Sequence, residues 1–415
     1  MCRTQIKRKV KERNVVKLST RALNLKPSPT LAIAAKAKAL KAEGQDVISL
    51  SVGEPDWDTY AEISKVGIAA IESGKTKYAP AGGLPELKSA IADLAQQELN
   101  LKFSPQEVTV SAGAKFILFS ALQMLLDPGD EVLIPIPYWV SYPTMVELAG
   151  GKPVLVSTSE SKRFHLTRED LESQVSEKTK VLILNSPNNP SGETLSKDAL
   201  KEIAAFLKDH PQIVVLSDDI YNRLIFSEGE TVAPHLLHVA PELKERVVLI
   251  NGISKSFSMT GWRLGWAVGD AKLIQAMSNY QSQSVSCAAP FTQIAAAYAI
   301  QNCWSQVKKS NETLITRRDL FVKLLNEIEG VEVLPPGGAF YLWVNVKAWL
   351  GKTYEGKSLQ GTKEVAEALL DGVQLAVVPG VESGVEGYLR ISFALKETQI
   401  EKACARLKDF ASRLQ

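Results

Sequence analysis

Residues 246–266 read RVVLINGISKSFSMTGWRLGW. The apolar, β-branched run from Val247 to Ile250 has the make-up of a buried strand, and it passes into a turn that bears Lys255 and then, after Gly261, Arg263. Working outward, EVTVSAG, EVLIPIP, KVLILNS, IVVLSDD and LGWAVG are further short apolar runs of this kind. Helix-like segments lie between them; in LPELKSAIADLAQQEL, Leu84, Leu87, Ile91 and Leu94 recur at helical spacing. Strands alternating with helices from about residue 60 onward predict an α/β fold with a buried, mostly parallel sheet.

Near residue 320 the rhythm changes. A long helix-like stretch is followed by a Pro-Pro-Gly-Gly turn at 335–338, an AFYLWVNV strand and a YLRISFA strand, which reads as a second, smaller domain. Its partner is the segment LAIAAKAKALKAEG, where Gly44 supplies a left-handed helix cap. A chain of 415 residues exceeds the usual size of one hydrophobic core, so two domains are expected. The division reads as an N-terminal arm at 1–30, a discontinuous small domain at 31–60 and 320–415, and a large domain at 61–319.

Charge narrows the possible partners. With 48 Lys+Arg against 46 Asp+Glu, the formal charge of +2 gives no global attraction to nucleic acid or to an anionic membrane. No apolar run approaches the ~18 residues of a membrane span. Cys2, Cys287, Cys303 and Cys404 are scattered, which argues against a disulfide framework or a thiolate metal site and fits a cytoplasmic setting. Of the four histidines only His235 and His238 are near each other, and Pro234 beside them suggests a surface loop rather than a metal site. Residues 1–21 hold eight basic residues against Glu12 alone, without an apolar core. The plain reading is a solvated arm; a transit peptide and a nucleic-acid-binding tail are the alternatives.

Ligands of open α/β sheets sit beyond the carboxyl ends of the strands. Lys255 lies there, where partial desolvation lowers its pKa and frees a nucleophilic amine. IVVLSDDIY puts Asp218 at a strand tip with Tyr221 three residues on, and a buried carboxylate needs a cationic partner such as a protonated pyridine nitrogen. NSPNNPSG fixes a tight loop that presents Asn189, a donor suited to a phenolate-type oxygen. SAGAK leads into the helix FILFSALQMLL, so the free amides of Ala114 and Lys115, with Arg263, form an anion site. After EVLIPIP comes Trp139, whose ring can stack on a flat heteroaromatic ligand. Singly, each residue has a dull explanation: a surface lysine, a helix cap, a core tryptophan, a plain turn. Their joint placement at strand ends argues for a cofactor site.

These residues resemble the class I, fold-type I aminotransferases, in particular the bacterial-type subgroup of aspartate and prephenate aminotransferases. The markers run from Leu18 onward: KPSPT, GEPDWDT, GKTKYAPAGGLPEL, AGAK, DPGDEV, PYWVSYP, NSPNNPSG, SDDIY, SKSFSMTGWRLGW and LRISFA. The resemblance implies a fold-type I architecture, with a mostly parallel seven-stranded sheet in a large domain beside a smaller α+β domain. It implies pyridoxal 5'-phosphate as cofactor, with Lys255 holding it as an imine and Asp218 pairing with its ring nitrogen. Asn189 and Tyr221 would hold the ring oxygen, Trp139 would stack on the ring, and Arg263 with the AGAK backbone would bind the phosphate. Tyr78 would reach the phosphate of a neighbouring subunit, which makes a homodimer with shared sites. Arg390 and the Gly53 backbone would receive the substrate α-carboxylate. Two positions depart from the pattern: Gly252 stands where many relatives carry a phosphate-binding hydroxyl, which Ser254 would then supply, and Ser191 replaces the commoner threonine.

Lys115 matches the subgroup's lysine for a distal carboxylate, and Lys26 is a second cationic candidate; both favour aspartate and glutamate, unless they merely face solvent. The expected activity is transfer of the amino group of L-aspartate to 2-oxoglutarate, giving oxaloacetate and L-glutamate. The alternatives are a prephenate or broader glutamate-dependent aminotransferase, a carbon-sulfur lyase on the same fold, and a cofactor-sensing regulator acting through its basic arm.

Overall fold

The computed structural model describes residues 16–25, 27 and 29–415. Lys26 and most of the basic N-terminal stretch lie outside the described residues; within that stretch, Thr20–Asn24 forms one short, exposed helix.

Seven strands form the central sheet, in the spatial order Val108–Ser111, Gly265–Val268, Val247–Gly252, Val214–Asp218, Thr179–Asn185, Glu131–Pro135, Lys152–Val156. All pairs are parallel except the two made by Gly265–Val268, the single reversed strand. Successive side chains of a strand point to opposite faces, and that period divides the core. Leu133, Leu182, Leu184, Val215, Val247 and Leu249 face one cluster, with the helices Pro85–Leu99 and Lys197–Asp209. Val132, Ile134, Val181, Ile183, Leu216, Val248 and Ile250 face the other, with Ala114–Leu125 and Ala271–Ser282. Because both faces are covered, these strands read in sequence as continuous apolar runs. Lys152–Val156 does not read that way. It is an edge strand, starts at Lys152-Pro153 and buries only Val156 fully, so only the structure reveals it.

Pro85 occupies the first turn of its helix, where a missing N–H costs nothing, and Asn100 ends it in the left-handed conformation at φ 54°. At the other side of the molecule, Val378–Pro379, Tyr388–Ser392 and Tyr341–Asn345 form a three-stranded antiparallel sheet. The helix Thr362–Val373 packs against it, and Glu397–Ser412 lies on Thr362–Val373 and on the long helix Trp304–Leu325. The helix Pro29–Ala42 joins this lobe beside the parallel pair Ile48–Ser49 and Leu375–Ala376, and Gly44 follows it at φ 88°, as expected for its cap.

His235 departs from the surface-loop expectation. It is 8 % exposed and caps the short helix Leu236–Val239, and its Nε2 lies 3.1 Å from Ser217 Oγ and 3.5 Å from Asp219. A polar ring beside Pro234 looks exposed in sequence; two polar partners at the end of a buried strand make burial tolerable.

Candidate active site

The carboxyl ends of the parallel strands converge on a cavity of about 270 Å³. Lys255 enters it from the turn after Val247–Gly252. Its side chain is half-buried, and its Nζ donates to the carbonyl of Gly53. Burial is the main reason its amine is lowered to about 8; Arg390 and Arg263 add to the effect, while Glu54 and Asp218 oppose it. Gly53 is constrained by contact, since a Cβ there would come within 2.8 Å of the Tyr341 hydroxyl.

Asp218 ends its strand and is buried. Its Oδ2 accepts from the Tyr142 hydroxyl at 2.6 Å, and its backbone carbonyl accepts from Asn185 Nδ2 at 2.8 Å. Burial raises its carboxyl to about 6, helped by Asp219 and opposed by the Tyr142 bond and by Lys255. Asn185 does a second job, because its Oδ1 accepts from the Asn189 amide at 2.8 Å and so fixes the loop that presents Asn189. Tyr221 lies within hydrogen-bond distance of the Tyr341 hydroxyl at 2.9 Å, and burial pushes its phenol well above its ordinary value.

Arg390, on the Tyr388–Ser392 strand, is 3 % exposed. Its Nη1 donates to Asn189 Oδ1 at 3.0 Å and its Nη2 to the Ser51 carbonyl at 2.7 Å, and its guanidinium lies 4.6 Å from the Tyr341 ring centroid. Its Nε is buried without a partner, and among the described residues no carboxylate pairs with it. A buried cation left in this state calls for an anionic ligand.

At the far end, the helix Ala114–Leu125 directs its first-turn amides, those of Ala114 and Lys115, at the cavity. Arg263 stands beside them with its backbone at φ 55° and Nη1 donating to the Thr260 carbonyl at 2.8 Å. Ser254, buried, also lines this cavity. Trp139 packs edge-on against Tyr142 at 5.4 Å. The Lys115 Nζ lies 4.7 Å from the Trp139 ring centroid and 3.2 Å from Ser141 Oγ, and burial lowers its pKa.

Lys255, Asp218, Tyr221, Ala114, Lys115, Trp139, Asn189, Ser254, Arg263, Gly53 and Arg390 therefore share one cavity. Tyr78 does not join them; it is 93 % exposed. Lys26 lies outside the described residues. Sequence reading missed Tyr142, Tyr341, Asn185 and Thr260. Asn185 had a signal, as it opens the tract that contains Asn189; Tyr142 and Tyr341 had none beyond their place in PYWVSYP and AFYLWVNV. The glycine at 252 has a packing cause, since a Cβ there would come within 2.8 Å of the Leu264 carbonyl and 3.1 Å of the Gly265 Cα. A hydroxyl-bearing side chain has no room at that position.

The donor set fits a flat ring with three different edges: a carboxylate for a ring N–H, amide and phenol donors for a ring oxygen, and helix amides with a guanidinium for a phosphate. The amine of Lys255 sits among them. Residues 45–407 match the family described as aminotransferase class I and II. The chain is 42 % identical, over 94 % of its length and 95 % of the relative's, to the probable aspartate/prephenate aminotransferase of Rickettsia felis. It is also 42 % identical to the aspartate/prephenate aminotransferase of Cereibacter sphaeroides, covering 96 % of this chain and 99 % of that one. Among solved structures, it superposes on the aspartate aminotransferase of Rhizobium meliloti with a TM-score of 0.91 at 39 % identity, over 96 % of this chain and all of that one. The Thermus thermophilus aspartate aminotransferase with maleate gives a TM-score of 0.88 at 37 % identity, over 95 % of this chain and all of that one.

Proposed function

Because the chain belongs to the aminotransferase class I and II family, which depends on pyridoxal 5'-phosphate, we propose that it moves the amino group of L-aspartate to 2-oxoglutarate, giving oxaloacetate and L-glutamate. The cofactor, when bound, supplies the carbonyl that takes up the amino group and the electron-withdrawing ring that makes the substrate's α-hydrogen acidic.

In this reading the chain's own groups divide the work. Lys255 attaches the cofactor and, once released, its amine removes the proton from the substrate Cα; a value of about 8 keeps a useful neutral fraction near pH 7. The Asp218 carboxylate keeps a proton on the ring nitrogen. Asn189 Nδ2 and the Tyr221 hydroxyl hold the ring oxygen, and Trp139 covers one face. The amides of Ala114 and Lys115, the Arg263 guanidinium and the Ser254 hydroxyl hold the phosphate. Arg390 and the Gly53 backbone receive the α-carboxylate, and the Lys115 ammonium receives the distal one. Lys26 is a second candidate for that carboxylate. The observation that carries the reading is Arg390, a buried cation with an unpaired Nε and no anionic partner among the described residues, in the same cavity as the half-buried Lys255.

Prephenate is the second acceptor to consider, on the strength of the relatives' names. A homodimer accounts for Tyr78, whose ring is exposed on its own subunit and would reach a partner's phosphate site. We assign residues 31–60 and 320–415 to the small domain and 61–319 to the large one, with 1–30 as the arm. The described cysteines Cys287, Cys303 and Cys404 are unpaired, which favours the cytoplasm. The test is spectroscopic: the absorption band of the loaded protein is followed during titration with aspartate, glutamate, alanine and tyrosine, and oxo-acid and amino-acid products are identified with 2-oxoglutarate or prephenate as acceptor. Lys255→Ala should lose steady turnover by at least ~1000-fold. Near-normal turnover in that variant would contradict the scheme.

A further inference from the structure

The segment Gly53–Tyr60 has neither helix nor strand, yet it delivers the carbonyl that receives the Lys255 amine. Several side chains tie its later part to the turn that carries Lys255. The Ser258 hydroxyl donates to the Trp57 carbonyl, Thr59 Oγ1 donates to the Ser258 carbonyl at 2.7 Å, and Trp262 Nε1 donates to Thr59 Oγ1 at 3.0 Å. Thr260 Oγ1 donates to Glu54 at 2.7 Å. The middle of the segment is held from elsewhere. Arg317, on the long helix Trp304–Leu325 and 7 % exposed, donates from Nη1 to Asp56 Oδ1 at 2.6 Å. Its Nε donates to Glu397 at the start of the C-terminal helix at 3.1 Å, and its guanidinium lies 5.8 Å from the Trp57 ring centroid.

We propose that Arg317 is a positioning residue for the reaction: by gripping Asp56 it sets where the Gly53 carbonyl stands, and so how the Lys255 amine is held. The proposal rests on the reading of Lys255 as the reactive amine. Its physical basis is that a short irregular segment has many accessible conformations. A buried guanidinium bonded to a carboxylate within that segment removes much of this freedom. The carbonyl acceptor favours the charged ammonium of Lys255, so a displaced Gly53 leaves the amine easier to deprotonate.

Two variants separate positioning from plain charge. Arg317→Met removes a cation, which through space would raise the pKa of a lysine; Asp56→Ala removes an anion, which would lower it. Positioning moves both in one direction, downward. Full-length protein free of cofactor is pulsed with acetic anhydride across pH 6–10 (a range of about four units around the lysine's ordinary and lowered values), and acetylation of the Lys255 peptide is read by mass spectrometry. Both variants should lower the midpoint of labelling by about half a unit to one unit, on the scale of a single lost hydrogen bond to the charged form. Arg317→Lys should restore part of it, and Glu397→Gln, which alters the other arm of Arg317, should leave it in place. Opposite shifts in Arg317→Met and Asp56→Ala, or no shift in either, would overturn the proposal. Asp56→Ala changes a more exposed partner than Arg317, so it keeps the test alive if Arg317→Met does not fold. Protection of Lys255 by added pyridoxal 5'-phosphate in the unaltered chain tests the parent reading by itself; without protection, both fall.

Discussion

Replacing Tyr142 by phenylalanine removes the 2.6 Å hydrogen bond to Asp218 Oδ2 and leaves the ring in place. Asp218 stands at about 6 because burial raises it, and the Tyr142 bond keeps it from going higher. A hydrogen bond to a charged group contributes ~1.5–3 kcal/mol, and one pH unit corresponds to ~1.4 kcal/mol. The carboxyl should therefore move up by about one to two units in the variant. The linkage follows from the direction. An aspartate in the unfolded chain titrates near 3.8, below its folded value of about 6, so between those values the folded chain keeps a proton that the unfolded chain has lost. Stability from this group is complete below the lower value and is lost as pH rises through the folded one. In Tyr142→Phe the loss should continue to about pH 7–8, one to two units further than in the unaltered protein. Carbon NMR of labelled aspartate in the cofactor-free protein reads the midpoint, and melting temperatures at acid and mildly alkaline pH read the linkage. The acid limb of kcat/KM should shift upward as well, since fewer molecules hold the carboxylate at neutral pH. A midpoint that stays at about 6, or moves down, would refute the role given to Tyr142.

Arg390→Met should lower kcat/KM for aspartate by ~100- to 1000-fold, the loss expected when one partner of a buried, charged contact is removed; steady-state kinetics with aspartate decides it, and a loss under tenfold would count against the carboxylate role. Lys115→Ala should cost about 10- to 100-fold with aspartate while sparing alanine, so an unchanged preference between these two donors would make the assignment wrong. Gly252→Ser should destabilise by ~1–3 kcal/mol through overpacking against the Leu264 carbonyl and Gly265, seen as a lower melting temperature. A serine accepted there without loss would refute the packing reason given for the glycine.

Legibility in the sequence followed the surroundings of each residue. Six of the seven sheet strands stood out because they are buried and mostly apolar, Val108–Ser111 with Val alternating with Thr and Ser and the others as near-continuous runs, whereas Lys152–Val156 carries Lys152, Pro153 and an exposed Leu155. Lys255, Asp218 and Asn189 could be placed because each follows such a run directly, and the strand fixes its end of the sheet. Tyr142 and Tyr341 were out of reach for a different reason. Their partners, Asp218 and Tyr221, are 76 and 120 positions away, and nothing local distinguishes them from core aromatics. Arg317 belongs with them, since a basic residue in a long amphipathic helix reads as part of a solvated face until Asp56, 261 positions away, is found beside it.

The charges around the cavity explain why the fold tolerates so strained an electrostatic arrangement. Lys255, Arg390, Arg263 and Lys115 border it, against Asp218 inside and Glu54 at its rim. An apolar replacement would relieve the desolvation cost of Arg390, the one of these that is fully buried, so its presence asks for a reason beyond stability. A phosphate beside Arg263 and the two carboxylates of a dicarboxylic substrate beside Arg390 and Lys115 are the anions that would complete the set. Asp218, the carboxylate that lines the cavity, is held by Tyr142, and among the described residues no arginine forms an ion pair with it. It is thereby kept for a cation that arrives with the ligand. The same sign pattern accounts for the direction of the pKa changes: the surrounding cations and burial press Lys255 toward the neutral amine, and burial presses Asp218 toward the proton it would share with a ring nitrogen.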